Sequence, residues 1–380
     1  MSATWSISDR EYMARAIQLA KEGLYTTQPN PRVGCVLVKQ GSIVGEGFHY
    51  RAGEGHAEVN ALRAAGEEAK GATAYVTLEP CSHYGRTPPC SEALINAGVA
   101  RVVAAMVDPN PQVAGRGITM LREAGIEATS GLLEESARAL NPGFIKRMET
   151  GLPFVRVKSA ISLDGRTAMA SGESKWITGP AARGDVQKLR AQSSVILTGI
   201  GSILQDDSAL TVREAQLNLP NVADVVQKQP LRVVLDSRLQ MPLTASILKQ
   251  PGRTLIVTCS DDTIAQNKLK DAGTDVLVMP ADENGRVALL PLLRLLASEE
   301  QCNDLLVETG SVLAGAFVEQ KLADELHVYM AMKLLGSQAK PLFELPLTKM
   351  SEQVELQMLD SRMLGDDLKL ILQPQYGENA

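Results

Sequence analysis

HAEVNALRAAG, residues 56–66, and TLEPCSHYGRTPPCSEALINAG, residues 77–98, decide how this chain is read. The first has the apolar spacing of a helix, and ATAYVTLEP, residues 72–80, has the composition of a strand. CSEALINAG, entered through Pro88-Pro89, reads as a second helix. Helix, strand and helix in succession predict an α/β unit, and each element brings one soft metal ligand to its end. His56 opens the first helix. Cys81 ends the strand, at the edge where α/β sheets hold ligands. Cys90 starts the second helix, whose positive end favours the metal-binding thiolate.

Three protein ligands leave one position of a tetrahedral zinc open for water, and catalysis also needs a nearby base that is not a ligand. Glu58, two residues after His56, is that base. Zinc lowers the pKa of bound water to about 7, giving a nucleophile at neutral pH. Glu58 can shuttle the protons of the water, first to a ring nitrogen and then to a leaving amine. The set therefore predicts one zinc per chain and hydrolytic deamination of an amidine-like carbon in a heterocycle. The alternative is a structural zinc, with His83 or His49 as fourth ligand, which would leave Glu58 without a role.

The pattern continues on both sides. Residues 8–20 read as a helix with Ser8 at the N-cap and Glu11 three residues on. VGCVLVKQ and SIVGEGF read as strands joined at Gly41, VARVVAAMVDP as a strand and GITMLREAG as a helix. Pro142, Gly143, Gly151 and Pro153 then interrupt the pattern, which predicts domains over residues 1–150 and 151–380. The second begins with the strand FVRVKSAIS and the turn LDGR, and continues through LRVVLDS, TLIVTCS, DVLVMP and DLLVETG. Gly turns follow two of its strands, at Thr198-Gly199-Ile200-Gly201 and Glu308-Thr309-Gly310-Ser311, each able to present backbone N–H groups to an anion. No GxGxxG follows a strand, so the second domain has no Rossmann signature. Residues 214–229 show no periodicity and are expected to form a mobile surface insertion. No repeat relates the halves.

Composition narrows the partners. With 380 residues, a net charge of −6 and scattered Lys and Arg, the chain lacks the basic footprint of a nucleic-acid binder. No run approaches the roughly 18–20 apolar residues of a membrane span, and the N-terminal segment has no signal-peptide core. A cytoplasmic protein without nucleic-acid or membrane partners is expected. Five cysteines at irregular spacing argue against a disulfide framework. Cys35 reads as a buried strand residue, and Cys259 and Cys302 as incidental.

Nucleobase deaminases with an H-x-E…P-C-x-x-C signature have two residues between their cysteines; here Cys81 and Cys90 are separated by eight. That spacer, with HAEVNAL, YVTLEPCSHYGRTPPC and VARVVAAMVDPNPQVAGRGI, resembles the bifunctional deaminase/reductase family of riboflavin biosynthesis (RibD/RibG), in which the long spacer is normal. SLDGRTAMASGESKWITG, LRAQSSVILTGIGSILQDDSALTVR and VETGSVLAGAF resemble its reductase domain, so the likeness runs from about Tyr12 to about Leu345. The resemblance implies a cytidine-deaminase-like α/β/α sandwich followed by a dihydrofolate-reductase-like α/β domain. It implies zinc-dependent deamination of 2,5-diamino-6-(5-phosphoribosylamino)pyrimidin-4(3H)-one to 5-amino-6-(5-phosphoribosylamino)uracil, then NADPH-dependent reduction of the ribosyl to the ribityl side chain. A homo-oligomer acting on this phosphoribosylaminopyrimidine is expected.

Carried over by motif, His56, Cys81 and Cys90 are the zinc ligands and Glu58 the proton shuttle. Asn30, His49, His83 and Arg86 would contact base, ribose or phosphate, although His49 or His83 alone reads as an ordinary surface or packing histidine. Ala160, Ser174, Trp176, Ser202, Asp206, Ser237 and the run Gly310, Ser311, Val312, Leu313, Ala314, Gly315, Ala316 would line the NADPH site. Arg238 would approach the cofactor's 2′-phosphate, or be a solvated turn residue. Lys158, Arg190, Leu210, Arg213 and Glu308 would hold the reductase substrate, with Arg190 and Arg213 gripping its phosphate. Lys158, Asp206 and Glu308 are the candidate proton sources. A nucleic-acid base deaminase with a C-terminal binding domain is the alternative, disfavoured by the acidic balance.

Overall fold

In a computed structural model describing residues 5–84, 88–111 and 113–377, the chain divides into two units, Met1–Leu152 and Pro153–Ala380. The first opens with α1 (Ile7–Glu22), whose N-cap lies two residues before the expected one. Ser6, not Ser8, caps it: the Ser6 hydroxyl accepts from Asp9 N and the Asp9 carboxylate accepts from Ser6 N, a capping box built on Asp instead of the expected Glu11. β1 (Gly34–Lys39) and β2 (Ser42–Phe48) form the hairpin expected around Gly41. Then follow α2 (Ala57–Ala65), β3 (Thr73–Val76), α3 (Cys90–Asn96), β4 (Arg101–Ala104), α4 (Arg116–Glu123), β5 (Glu127–Ser130), α5 (Glu134–Arg138) and α6 (Pro142–Thr150).

The sheet order is β2-β1-β3-β4-β5, antiparallel as far as β3 and parallel beyond it. Alternate side chains face opposite layers. Cys35, Leu37 and Val76 pack with Ala57, Ala61 and Leu94, while Val36, Tyr75 and Val103 pack with Met13, Ile17 and Ile145. The unit is thus an α/β/α sandwich. Gly45 and Gly47 in β2 let α2 lie directly on the strand: a Cβ at either would fall 2.4 Å from the backbone of Ala61. This close seat sets where α2 begins, and so where His56 stands.

The second unit contains β6 (Phe154–Ser162), β7 (Arg166–Ala168), α7 (Pro180–Gln192), β8 (Val195–Gly199), α8 (Ile200–Asp206), α9 (Val222–Gln227), β9 (Leu231–Leu235), β10 (Thr254–Thr258), α10 (Thr263–Asp271) and β11 (Asp275–Val278). It continues with α11 (Leu289–Ser298), β12 (Asp304–Glu308), α12 (Ser311–Glu319), β13 (Glu325–Ala331), β14 (Lys340–Pro341), β15 (Glu355–Leu364) and β16 (Asp367–Gln375). Nine strands form one sheet in the order β11-β10-β9-β8-β12-β6-β13-β16-β15, parallel up to β13 and antiparallel beyond, while β7 pairs with β14 apart from it. Its parallel core reads as continuous apolar runs because both faces are covered; β10 and β12 are buried at every position.

Two expectations change here. Residues 214–229 are not an irregular insertion: they contain a 3₁₀ turn at Glu214–Gln216 and α9, with Leu217 and Val225 buried. Elements this brief cannot display a helical period, which is why the sequence looked featureless. Gln229 also bonds both Val212 N and Val212 O, tying the segment to the core. The second change is the β15–β16 hairpin, turning at Gly365 with φ 63°, which the sequence reading did not identify. β15 is exposed along most of its length, so it carries no core alternation to read.

Candidate active sites

The first site lies where the starts of two helices meet the chain leaving β3. His56 is the N-cap of α2, Cys90 the first residue of α3, and Cys81 lies in the chain leaving β3. Their ligand atoms fall within 4.8 Å of one another, with His56 Nδ1 3.3 Å from Cys90 Sγ and 3.7 Å from Cys81 Sγ. Zn–S bonds of about 2.3 Å and Zn–N bonds of about 2.0 Å at tetrahedral angles separate ligand atoms by about 3.5–3.8 Å, so the cluster fits zinc. Among the described residues no fourth Cys, His or carboxylate joins the group. A closed structural site is therefore not what these residues build.

Glu58 is 4% exposed and stays outside the ligand set. Burial, reinforced by the Cys81 sulfur, pushes its carboxyl up to about 7. Hydrogen bonding from Cys90 and then from His56 holds Cys81 down to about 4, whereas its neighbour Cys81 and burial push Cys90 up. His56 is raised, chiefly by its hydrogen bond to Cys81.

His49 is 3% exposed and has both ring nitrogens occupied, Nδ1 by Gly55 O at 3.2 Å and Nε2 by the Asn30 side-chain nitrogen at 3.1 Å. Burial lowers its pKa, consistent with a neutral ring that donates to Gly55 and accepts from Asn30. His83 is exposed. Arg86 lies outside the described residues.

The second site is a cleft of about 1280 Å³ at the carboxyl ends of β6, β8 and β12. Lys158, Ala160, Ser174, Trp176, Arg190, Ser202, Asp206, Leu210, Arg213, Ser237, Arg238 and Glu308 all line it, as do Gly310, Ser311, Val312, Leu313 and Ala316. Ala314 and Gly315 do not: Ala314 is fully buried, and a Cβ on Gly315 would lie 2.1 Å from Glu344 O. Those two belong to the packed side of α12. Gly310 is the N-cap of α12, and a Cβ there, or on Gly201 near the start of α8, would meet nothing within 4 Å. Open backbone at a helix start suits a pyrophosphate. Ser174 Oγ donates to Asp206 Oδ1 at 2.9 Å, and Trp176, 62% exposed, has the Arg183 guanidinium 4.7 Å from its ring centre. Ser237 Oγ accepts from Val287 N at 3.2 Å, which brings the 282–287 turn beside Arg238.

The two cations expected to share a phosphate differ in what they do. Arg190 Nε and Nη2 bond both oxygens of Glu308 at 2.5 and 3.0 Å, and Nη1 bonds Thr211 O at 2.9 Å. Its fork is already filled. The Arg213 guanidinium has no hydrogen-bond partner among the described residues, while its backbone N–H is held by Gln187 Oε1 at 2.8 Å. Lys158 is in register with Glu308 on the next strand, and burial lowers its pKa. Burial would raise Glu308, but the Arg190, Lys158 and Arg213 charges outweigh it and hold the carboxyl below its usual range. Leu210, at φ 50°, takes a left-handed turn that aims Thr211 O at Arg190. Gln187 was missed by the sequence reading; its spacing of three from Arg190 on α7 was the available signal.

Residues 6–106 match the cytidine and deoxycytidylate deaminase zinc-binding region, and residues 153–370 match the RibD C-terminal domain. The chain is 52% identical over 370 residues to the riboflavin biosynthesis protein RibD of Escherichia coli, covering 96% of this chain and 99% of that protein. The chain belongs to the RibD family. RibD of Haemophilus influenzae is 50% identical over 380 residues, covering 97% of this chain and 98% of that one. Among solved structures, Acinetobacter baumannii RibD superposes with a TM-score of 0.90 at 49% identity, over 97% of this chain and 99% of that one. The diaminohydroxyphosphoribosylaminopyrimidine deaminase/5-amino-6-(5-phosphoribosylamino)uracil reductase of Thermotoga maritima gives 0.82 at 31% identity, over 97% and 99%. As a RibD protein the chain is a bifunctional enzyme of riboflavin biosynthesis, a zinc-dependent deaminase followed by an NADPH-dependent reductase, acting on a small pyrimidine. Its deaminase-like and reductase-like halves are those the sequence predicted.

Proposed function

We propose that residues 1–150 deaminate 2,5-diamino-6-(5-phosphoribosylamino)pyrimidin-4(3H)-one at ring position 2, and that residues 151–380 reduce the ribosyl group of the product. The carrying observation is a cluster of three ligands, His56, Cys81 and Cys90, with a buried carboxylate beside it that is not a ligand. What zinc supplies there is Lewis acidity, making water a nucleophile near neutral pH. Glu58 takes one proton from the water to the ring nitrogen and then carries the remaining hydroxyl proton to the departing amine, so the amine leaves neutral. The Asn30 amide, oriented by His49, holds the substrate, with His83 and Arg86 toward its ribose phosphate.

In the reductase cleft the Gly310–Leu313 turn and Ser202 hold the pyrophosphate of NADPH, Trp176 and Ala160 its nicotinamide side, and Ser237 and Arg238 its adenosine end. We assign the substrate phosphate to Arg213, because the Arg190 fork is filled by Glu308. Arg190 then keeps Glu308 ionised and aimed at the sugar. Hydride goes to C1′ of the ring-opened ribosyl group, with Lys158, next to Glu308, as the nearest cation that can deliver a proton. The exposed edge strand β15, carrying Leu356, Met358 and Met363, favours a homo-oligomer paired there. Cysteines kept as thiols for metal binding favour the cytoplasm, and the net charge of −6 disfavours nucleic acid or anionic membrane as a partner.

An absorbance assay with the diaminopyrimidine tests the order of events. Deamination should proceed without NADPH and stop with a chelator, and NADPH should be consumed only after deamination. Oxidation of NADPH by the undeaminated substrate at the same rate would overturn the sequence of steps.

A further inference from the structure

None of the chemistry above uses Glu79, which lies two residues before Cys81 and is 3% exposed. Its backbone N–H donates to Met106 O at 3.0 Å, the last rung joining the chain beyond β3 to the chain beyond β4. After that rung the two segments part, and the carboxylate takes over. Oε2 accepts from Asp108 N at 3.1 Å and Gly115 N at 2.9 Å; Oε1 accepts from Gly117 N at 2.8 Å and Ile118 N at 3.2 Å. Gly117 and Ile118 are the second and third residues of α4, whose N-cap is Gly115, a residue with no side chain to offer. A carboxylate from a distant strand end thus performs the capping that α4 cannot perform for itself.

The clamp bears on a metal ligand. A Cβ on Gly117 would lie 2.0 Å from Pro80 O, so the first turn of α4 touches the peptide that leads into Cys81. From the other side Ser91 Oγ, on α3, donates to Cys81 O at 2.9 Å. The main chain at Cys81 is held between two helices, and Glu79 fixes one of them.

We infer that Glu79 is a positioning residue for the deaminase: its carboxylate locks α4 and the segment after β4 against Pro80, and so fixes Cys81 relative to His56 and Cys90. The inference rests on the assignment of those three residues as zinc ligands. A glutamine cannot replace the carboxylate. Its single carbonyl oxygen cannot serve four donors, and its NH₂ would face backbone N–H groups.

The test uses the full-length zinc protein with Glu79→Gln. Hydrogen exchange at Gly115, Gly117 and Ile118, zinc transfer to a chromophoric chelator, deaminase kcat and KM, and NADPH-dependent turnover of the deaminated substrate are all measured. Expected are zinc still present, faster exchange at the three amides, unchanged reductase turnover, and zinc release and deaminase kcat altered by about 10–100-fold with a smaller change in KM. Lost amide protection with parental zinc release and kcat would make Glu79 a cap for α4 and nothing more, and the inference would fall. Should that variant not fold, Gly117→Ala leaves the carboxylate intact but presses α4 away from Pro80. It is expected to give the same faster zinc release and lower kcat, and parental values would overturn the inference. Parent protein that carries no zinc would remove the ligand assignment first, and this inference with it.

Discussion

The zinc cluster and the reductase cleft place their chemistry in opposite ways. In the first unit the proposed chemistry rests on three side chains and one carboxylate: His56, Glu58 and Cys90 stand at the start of a helix, and Cys81 in the chain leaving β3. In the second the work is spread over a cleft of about 1280 Å³, where open backbone at Gly201 and Gly310 and a three-residue group, Arg190, Glu308 and Lys158, matter as much as any single residue. A metal site tolerates no substitute for its donors, whereas a dinucleotide is held by many weak contacts. The concentrated site should therefore fail abruptly and the distributed one by degrees.

The largest test removes a donor. Cys90→Ala should abolish zinc binding and deamination while leaving reduction of the deaminated substrate intact, by metal analysis and the two half-reactions. Residual deamination within about tenfold of the parent would break the contrast. Next, Glu58→Gln should keep one zinc and lower deaminase kcat by about 10²–10⁴-fold; loss of metal would mean that Glu58 is a ligand. In the cleft the effects should be smaller. Arg213→Ala is expected to raise KM for the reductase substrate by about 10–100-fold, the worth of a charge-assisted bond, with NADPH affinity nearly unchanged. The reverse pattern would return the phosphate to Arg190.

The smallest effect probes the scaffold. Asp9 is 6% exposed and accepts from Ser6, Tyr75 and Arg101. Burial alone would raise its pKa, but those donors outweigh it and hold the carboxyl well below its ordinary value of 3.8. A depressed folded pKa means stability that is present above the unfolded value and is lost as pH falls through the folded one. Asp9→Asn should thus destabilise the first unit by about 1–3 kcal/mol at pH 7, by denaturant melts, with the difference shrinking only below about pH 4. A difference independent of pH would assign the effect to packing.

Much of the first site was legible because its residues are close in sequence and chemically distinctive: a His, a Glu and two Pro-Cys steps within residues 56–90. The helix start was two residues out because Ser6 and Ser8 are both competent caps, and only the Asp9 geometry chooses between them. In the second unit the parallel strands were legible as apolar runs, and most of the cleft-lining residues through their family motifs. The division of labour between Arg190 and Arg213 was not. Both are arginines expected near an anion, and what separates them is a carboxylate on β12, 118 positions from Arg190 in the chain.

The amino-acid sequence by itself determined most of the element types, the candidate ligand set and the family, because apolar periodicity and a donor set with one carboxylate beside it are local properties. Tertiary structure alone decided that His49 is bonded to Asn30, that the Arg190 fork is filled by Glu308, and that the Glu79 carboxylate caps α4. Each is a hydrogen bond between residues distant along the chain, and its partner is chosen by which buried donors the packing leaves unpaired.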